Sequence, residues 1–184
     1  MKTCTDIRDQ VLADARLQKE ISHALLAVAD ALAAGGDRRI VRILTRTLEA
    51  SWTEHVSFQD EVVFPILVSR HGSTIKDLLQ SRHCEHVHLA KLHAEIGHHL
   101  EELLGPGHKT ADGLESLLRR THELRLSHLE FDFQLNDLLP EVFSDAERTL
   151  CEKWSKTRPN LRFPLNLLRN GSPPYPHLGG GRVH

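Results

Sequence analysis

The chain has few of the features that several common classes of protein require. Aromatic residues make up only 5% of its 184 residues, too few for the stacking platforms of single-strand nucleic-acid binders. The net charge of -2 provides no basic surface for a nucleic acid, and no run of about 18 apolar residues is present to span a membrane. The first 20 residues are charged and contain no apolar signal segment. We therefore expect a cytoplasmic protein that binds neither a nucleic acid nor a membrane.

Cysteine is scarce, whereas histidine is abundant. Cys4, Cys84 and Cys151 form no CxxC pair and have no zinc-finger spacing, so we expect unlinked thiols. There are 14 histidines, and seven of them lie between positions 83 and 108. Because imidazole is the commonest metal ligand among the side chains, metal binding is the first hypothesis to test.

Four long amphipathic segments predict four helices. They span about residues 6–34, 38–69, 74–104 and 114–139. The glycine pair GG (35–36), the pair GS (72–73) and the loop GPGHKTADG (105–113) separate them. The sequence SDAE (144–147) is typical of a capping box and opens a short fifth helix that ends near residue 156. Long helices joined by short links predict an all-α fold, an antiparallel up-down four-helix bundle.

The composition changes after the fifth helix. Residues 1–157 are expected to contain the bundle, and residues 158–184 are rich in proline and glycine. Such a composition predicts an irregular tail. A protein partner bound through this tail is one open possibility.

Polar residues interrupt the apolar stripes of the predicted helices. His55 and Gln59 lie on the stripe of the second helix, His86 on that of the third and His128 on that of the fourth. The first helix has two competing stripes, so the orientation of His23 stays open. A polar group buried without a partner costs about 1–3 kcal/mol, so these side chains need a shared ligand or hydrogen bonds.

Two of the histidines belong to near-repeats, HVSFQDEVVFPIL (55–67) and HLEFDFQLNDLLP (128–140). Each has a polar acceptor four residues after the histidine: Gln59 after His55, and Asp132 after His128. Residues four apart lie on one helix face and can reach the same ion. Imidazole with carboxylate suits iron, manganese or zinc. A single inward histidine is more often a hydrogen-bonded core residue, but the repeat on two helices favours a metal site.

In these motifs the chain resembles the hemerythrin-like, or HHE cation-binding, family over about residues 6–156. The matching segments are SHALL (22–26), HVSFQDEVVFP (55–65), CEHVHLAKL (84–92) and HLEFD (128–132). The resemblance implies a four-helix bundle that holds non-haem iron, usually as a di-iron centre, and that binds or senses O2, NO or peroxide or handles iron. Position by position, it implies the ligands His23, His55, His86, His128 and Asp132.

One position departs from the family pattern, because the bridging glutamate of the second helix falls on Gln59. An amide neither bridges two cations well nor cancels their charge, so a single ion or another divalent metal stays open, as does substitution by Asp60. His83 lies near His86, and His93 is either a further ligand or a core histidine. We expect the remaining histidines to face solvent: His71, His88, His98, His99, His108, His122, His177 and His184.

Three functions are compatible with this pattern. The first is a metal-binding sensor or carrier of a small diatomic molecule or peroxide. The second is a non-haem di-iron oxidase or oxygenase that activates O2, which the loss of a carboxylate at Gln59 mildly disfavours. The third is a metal-free interaction module, for which Gln59 is the best argument and the inward histidines are the counter-argument.

Overall fold

Helices make up nearly all of the described part of the chain. The computed structural model describes residues 7–32, 38–106 and 113–157, and no strand occurs in these ranges, which confirms the predicted all-α class. The helices are α1 (Ile7–Ala31), α2 (Arg38–Phe58), α3 (Phe64–His71), α4 (Lys76–Leu104), α5 (Leu114–Leu138) and α6 (Asp145–Thr157). A π-helical turn, Gln59–Val63, joins α2 to α3, and a 3₁₀ turn, Gly72–Ile75, joins α3 to α4.

Where the predicted ends of the helices fall on described residues, they agree with the structure to within two residues, whereas positions 6 and 34, the predicted ends of the first helix, lie outside the described residues. α3 ends where Gly72 has φ of 62° and ψ of -137°, a conformation that residues with a β-carbon rarely adopt. The predicted break at this glycine is therefore confirmed. The glycine pair at 35–36, residues 107–112 of the predicted loop and the predicted tail at 158–184 lie outside the described residues.

The predicted capping box at the start of α6 is also confirmed. The backbone N–H of Ser144 donates to Oε2 of Glu147 over 2.6 Å, and the N–H of Glu147 donates to Oγ of Ser144 over 3.3 Å. Arg70, near the end of α3, donates to both carboxylate oxygens of Glu147 at 2.9 and 2.7 Å. One carboxylate therefore both caps α6 and fastens it to α3.

We expect Glu147→Gln to lower the free energy of unfolding at pH 7 by about 1–3 kcal/mol, the usual range for hydrogen bonds to charged groups. The hydrogen bond from Arg70 lowers the pKa of Glu147 from 4.5 to about 2. A carboxyl group with a lowered folded-state pKa contributes stability above its unfolded pKa and loses it as the pH falls through the folded value. The advantage of the wild type over the variant should therefore shrink between about pH 4.5 and pH 2.

Urea unfolding of the metal-free proteins across this pH range measures the effect. The exposed Glu141 offers a matched control, since Glu141→Gln makes the same change of charge a few residues away. If both variants follow the pH profile of the wild type, the carboxylate of Glu147 does not have the role described.

The long helices contact one another in four pairs: α1 with α5, α2 with α4, α1 with α2, and α4 with α5. Within the first pair, Arg8 donates to the carbonyl oxygen of Leu139, whereas Ser22 bonds to His122. Residue numbers rise along α1 as they fall along α5, so these two helices run in opposite directions.

The core consists of two large apolar clusters, a small third one formed by Trp52, Leu89 and Leu92, and a layer of buried polar side chains between the two large clusters. One cluster includes Phe58 and Leu135, and the other includes Leu25 and Leu118. Fully burying an aliphatic or aromatic side chain of this size contributes about 1.5–3 kcal/mol, so both clusters stabilise the fold strongly. The buried polar side chains of the layer between them come from α1, α2, α4, α5 and the π-turn: Gln18, His55, Gln59, His86, His93, Arg125, His128 and Asp132.

Candidate metal centre

Three of the predicted ligands converge in the polar layer. His55 on α2, His86 on α4 and His128 on α5 are each no more than 2% exposed. One ring nitrogen of each lies within 4.8 Å of a ring nitrogen of the other two, and Nε2 of His55 lies 3.2 Å from Nε2 of His128. Two nitrogens bound to one ion at about 2.1 Å are about 3–4.2 Å apart. The spacing therefore suits ligands of a single ion.

The carboxylates that contact His55 and His128 determine which nitrogen of each ring carries the hydrogen and which one carries the lone pair. Nδ1 of His55 is 2.6 Å from Oδ2 of Asp14, and Nδ1 of His128 is 3.0 Å from Oε2 of Glu85. Because a carboxylate only accepts, each Nδ1 carries a hydrogen, and Nε2 of a neutral ring then bears a lone pair. Two lone pairs at 3.2 Å repel each other unless a proton or a cation lies between them. Carboxylates in this position orient metal-binding histidines in many proteins.

The three imidazoles differ in how readily they take up a proton. Burial lowers the pKa of His86 to about 3 and also lowers the pKa of His128. Burial acts in the same direction on His55, but the carboxylates of Asp14 and Asp132 outweigh it and raise the pKa of His55 above its ordinary value. His55 is therefore the ring of the three on which a proton is favoured.

Asp132 and Gln59 close one side of the cluster. Nε2 of Gln59 donates to Oδ1 of Asp132 over 2.7 Å, and Oδ2 of Asp132 lies 3.6 Å from Nε2 of His55. Burial raises the pKa of Asp132 to about 6. Among the residues that the structure describes, neither Oδ2 of Asp132 nor Oε1 of Gln59 has a hydrogen-bond partner, and the same holds for both ring nitrogens of His86. A cation in the middle of these atoms would satisfy them together and offset the cost of burying them.

The π-turn separates Gln59 from the residue that follows it. Gln59 contacts α5 through Asp132, whereas Asp60 lies near α4, with Oδ1 3.9 Å from Nδ1 of His86. A π-turn adds a residue to a helical turn and is frequent at functional sites. Asp60 therefore does not take the place of Gln59 beside Asp132, although the sequence left that substitution open.

His23 is not brought to the cluster. The residue of α1 that contacts the three-histidine cluster is Asp14, which is hydrogen-bonded to His55. His23 is nine residues further along the same helix, or about 13 Å at 1.5 Å per residue. It is partly buried, and its ring lies 5.9 Å from that of His122.

The prediction that His122 faces solvent is wrong. The side chain is 9% exposed and lies against α1, where Oγ of Ser22 is 3.0 Å from its Nδ1. The buried residues of α5 include Leu118, Arg125, Leu129 and Asp132 as well as His128, and His122 lies on the same inward side of the helix. His71, His88 and His98 are exposed as predicted, and His99 is partly exposed, whereas His108, His177 and His184 lie outside the described residues.

Arg125 is a buried residue that the sequence analysis missed. It is 1% exposed and donates to the carbonyl oxygen of Gln18 over 3.1 Å and to Oε1 of Gln18 over 2.7 Å. Nη1 of Arg125 also lies 2.9 Å from Nε2 of His93. Burial lowers the pKa of Arg125 to about 9. His93 is therefore a core histidine paired with an arginine, and it lies outside the group of three converging imidazoles.

Trp52 packs against the rings of the cluster, and a small cavity lies beside Gln59 and Asp132. The ring of Trp52 lies 4.8 Å from that of His55 and 5.3 Å from that of His128, and its Nε1 donates to the carbonyl oxygen of His86. The cavity has room for about one water-sized molecule. Its lining is polar on one side and apolar on the other: Val11, Asp14, Phe58, Gln59, Val63, Asp132 and Leu135. The cavity therefore offers space for a small molecule directly beside Gln59 and Asp132.

Comparison of the chain with models of known protein families, with curated proteins and with solved structures finds no match. Across residues 7–32, 38–106 and 113–157, no helix combines the length and the apolar character that crossing a membrane requires. The chemistry of the converging side chains is therefore the basis for a functional assignment.

Proposed function

We propose that this protein binds a non-haem metal ion, iron, through His55, His86 and His128, with Asp132 and Gln59 beside them. The observation that carries the proposal is the pair of Nε2 atoms 3.2 Å apart whose opposite ring nitrogens are both held by carboxylates. Three imidazoles and one carboxylate suit iron, and also manganese or zinc. We further propose that the protein binds or senses O2, NO or peroxide there.

The side chains of the cluster have distinct roles in this proposal. Asp14 and Glu85 keep hydrogens on the outer nitrogens of His55 and His128, so that the inner nitrogens are available as ligands. Gln59 orients Asp132 through its amide hydrogen. A bound iron ion supplies an open coordination position for a small ligand. In this proposal the small ligand occupies the cavity beside Gln59 and Asp132.

The proposal includes membership of the hemerythrin-like family and an antiparallel four-helix bundle formed by α1, α2 with α3, α4 and α5. The four helix contacts and the opposite directions of α1 and α5 support the bundle. The ligand set differs from the family pattern at two positions, since Gln59 replaces a carboxylate and His23 lies elsewhere. A set with fewer anionic ligands favours one ion rather than two.

We expect about one equivalent of metal per chain after purification from iron-rich medium, and quenching of Trp52 fluorescence when Fe²⁺ or Co²⁺ is added to the metal-free protein. Trp52 lies within about 5 Å of two ligand rings, so a paramagnetic ion at the centre is close enough to quench it. Elemental analysis and a fluorescence titration measure the two quantities. Trp52→Phe is the control and should leave only the signal of Trp154. A wild type that retains no metal and shows no quenching contradicts the proposal.

A metal-free interaction module is the second candidate, and one observation favours it. The pKa of His55 lies above its ordinary value, and a protonated His55 donates to both Asp14 and Nε2 of His128. A proton between the two Nε2 atoms then removes the repulsion of their lone pairs, which is the role that we assign to the ion. The same metal analysis separates the two candidates, because only the first retains an ion at neutral pH.

A further inference from the structure

We infer that Asp60, His83 and His86 form a second, outer cation site, at which a divalent transition-metal ion binds before it moves to the buried centre. This inference rests on the proposed function of that centre. Asp60 is in the π-turn, and the two histidines are one turn apart on α4. One carboxylate with two imidazoles is a donor set that Zn²⁺, Co²⁺ and Fe²⁺ all accept.

The spacing of the three side chains fits a shared ion. Oδ2 of Asp60 lies 3.7 Å from Nδ1 of His83, and Oδ1 lies 3.9 Å from Nδ1 of His86. One ligand atom from each of the three residues lies within 4.8 Å of the others. Both pair distances exceed a hydrogen bond, yet they are within the range of about 3–4.2 Å expected for two ligands of one ion.

His86 belongs to both groups of ligands. Its side chain is 1% exposed, and in the described part of the chain neither of its ring nitrogens has a hydrogen-bond partner. Phe64 stacks parallel to the ring of His86, which holds its orientation. A neutral imidazole binds an ion through one nitrogen at a time. His86 therefore serves the outer and the buried site in turn, which is why we infer transfer of one ion rather than permanent binding of two.

The buried centre needs such a route. Its own ligands are at most 3% exposed, so an ion cannot reach them from solvent without an intermediate position. His83 and Asp60, in contrast, have side chains that are 54% and 34% exposed. Glu85, the carboxylate next to His128, is already paired with Arg82 at 2.5 Å. Asp60 is thus the anionic group near His86 that is open to a hydrated cation.

The test is the rate at which the metal-free full-length protein takes up Co²⁺, followed by stopped-flow fluorescence of Trp52. We expect His83→Ala and Asp60→Asn to slow uptake about tenfold or more. Each variant removes a ligand of the outer site, and the loss of even a supporting group lowers metal affinity about 10–100-fold. Fewer ions are then bound at the outer site at any moment, so transfer to the buried centre is slower. The final metal content should equal that of the wild type. His88→Ala is the matched control, because His88 is another exposed histidine of α4 outside both groups.

Each result decides a different point. Wild-type uptake rates in both variants overturn the outer site, whereas a lower final metal content in both variants would show that these residues are permanent ligands and would overturn the transfer. His83 is exposed, so misfolding is not expected, and unchanged thermal unfolding of the metal-free variants confirms this. If the wild type binds no Co²⁺, the proposed function fails as well. If only His128→Ala loses the ion while His83→Ala behaves as wild type, the proposed function stands and this inference fails.

Discussion

Replacing His55 or His128 with alanine should abolish metal binding, whereas His99→Ala should leave it unchanged. Each of the first two variants removes one of the three converging nitrogens and also leaves a carboxylate, Asp14 or Glu85, without its imidazole partner. Loss of a supporting group alone costs about 10–100-fold in metal affinity, so loss of a ligand should cost more than about a hundredfold. Elemental analysis after dialysis measures this as a fall from one ion per chain to almost none.

The control distinguishes a specific centre from general binding by a histidine-rich chain. His99 is partly exposed on α4, where its Nδ1 lies 3.1 Å from Oε2 of Glu102. Replacing His99 lowers the number of imidazoles by one, as the other two substitutions do, but the side chain of His99 contacts no atom of the cluster. Equal metal content in all three variants would mean that the ion binds elsewhere, and the proposed function would fail.

Gln59→Glu should make the metal-free protein less stable and the metal-bound protein richer in metal. Oδ1 of Asp132 lies 2.7 Å from Nε2 of Gln59, so the variant places two carboxylates against each other in the core. An uncompensated buried charge costs about 3–5 kcal/mol. Because a second cation can be bridged by the new carboxylate, metal content should rise from about one ion per chain toward two.

The pH dependence of this variant has a definite sign. Two adjoining carboxylates raise the pKa of one of them, so the folded state binds an extra proton more tightly than the unfolded chain does. Stability of the metal-free variant then falls as the pH rises from about 4.3, the ordinary pKa of glutamate, through the raised value. Urea unfolding at pH 5 and pH 8 measures the difference. Gln134→Glu, an exposed change of the same charge on α5, should show neither effect.

A Gln59→Glu variant as stable as the wild type at pH 8 would indicate that residue 59 does not adjoin Asp132. Unchanged metal content together with the expected loss of stability would indicate that the site accepts a single ion whatever residue 59 is. The first outcome contradicts the geometry of the site, and the second contradicts only the expected rise to two ions.

The sequence predicted the helices and the approach of His55, His86 and His128 because apolar spacing determines which face of a helix is buried. It did not predict Asp14, Gln18 or Arg125. Gln18 continues the buried line of Val11, Ile21 and Leu25 on α1, and Asp14 lies beside that line with a side chain that is 19% exposed. The spacing of that line could be recognised in the sequence, but its polar members have the composition of surface residues. A charged side chain is buried only when it has a partner, and here the partner is on another helix, which the sequence of α1 does not reveal.

The π-turn could not be predicted from spacing, because apolar periodicity assumes 3.6 residues per turn throughout. His23 illustrates a different limit. A motif match assigns it a role by its position in the sequence, whereas Asp14 is the residue that α1 presents to the cluster, and only the pairing of α1 with its neighbours determines this.

The position of the polar layer between two apolar clusters has a consequence for how the protein unfolds. Each large cluster is held by its own apolar contacts, whereas the layer between them, although it has hydrogen bonds such as that of Gln59 with Asp132, also holds buried polar atoms that lack a partner among the described residues, on His86 and Asp132. Ligands from α2, α4 and α5 meet in that layer, so an ion there ties the two halves of the core together. The metal-free protein should therefore melt in a broad transition, and the loaded protein as one cooperative unit.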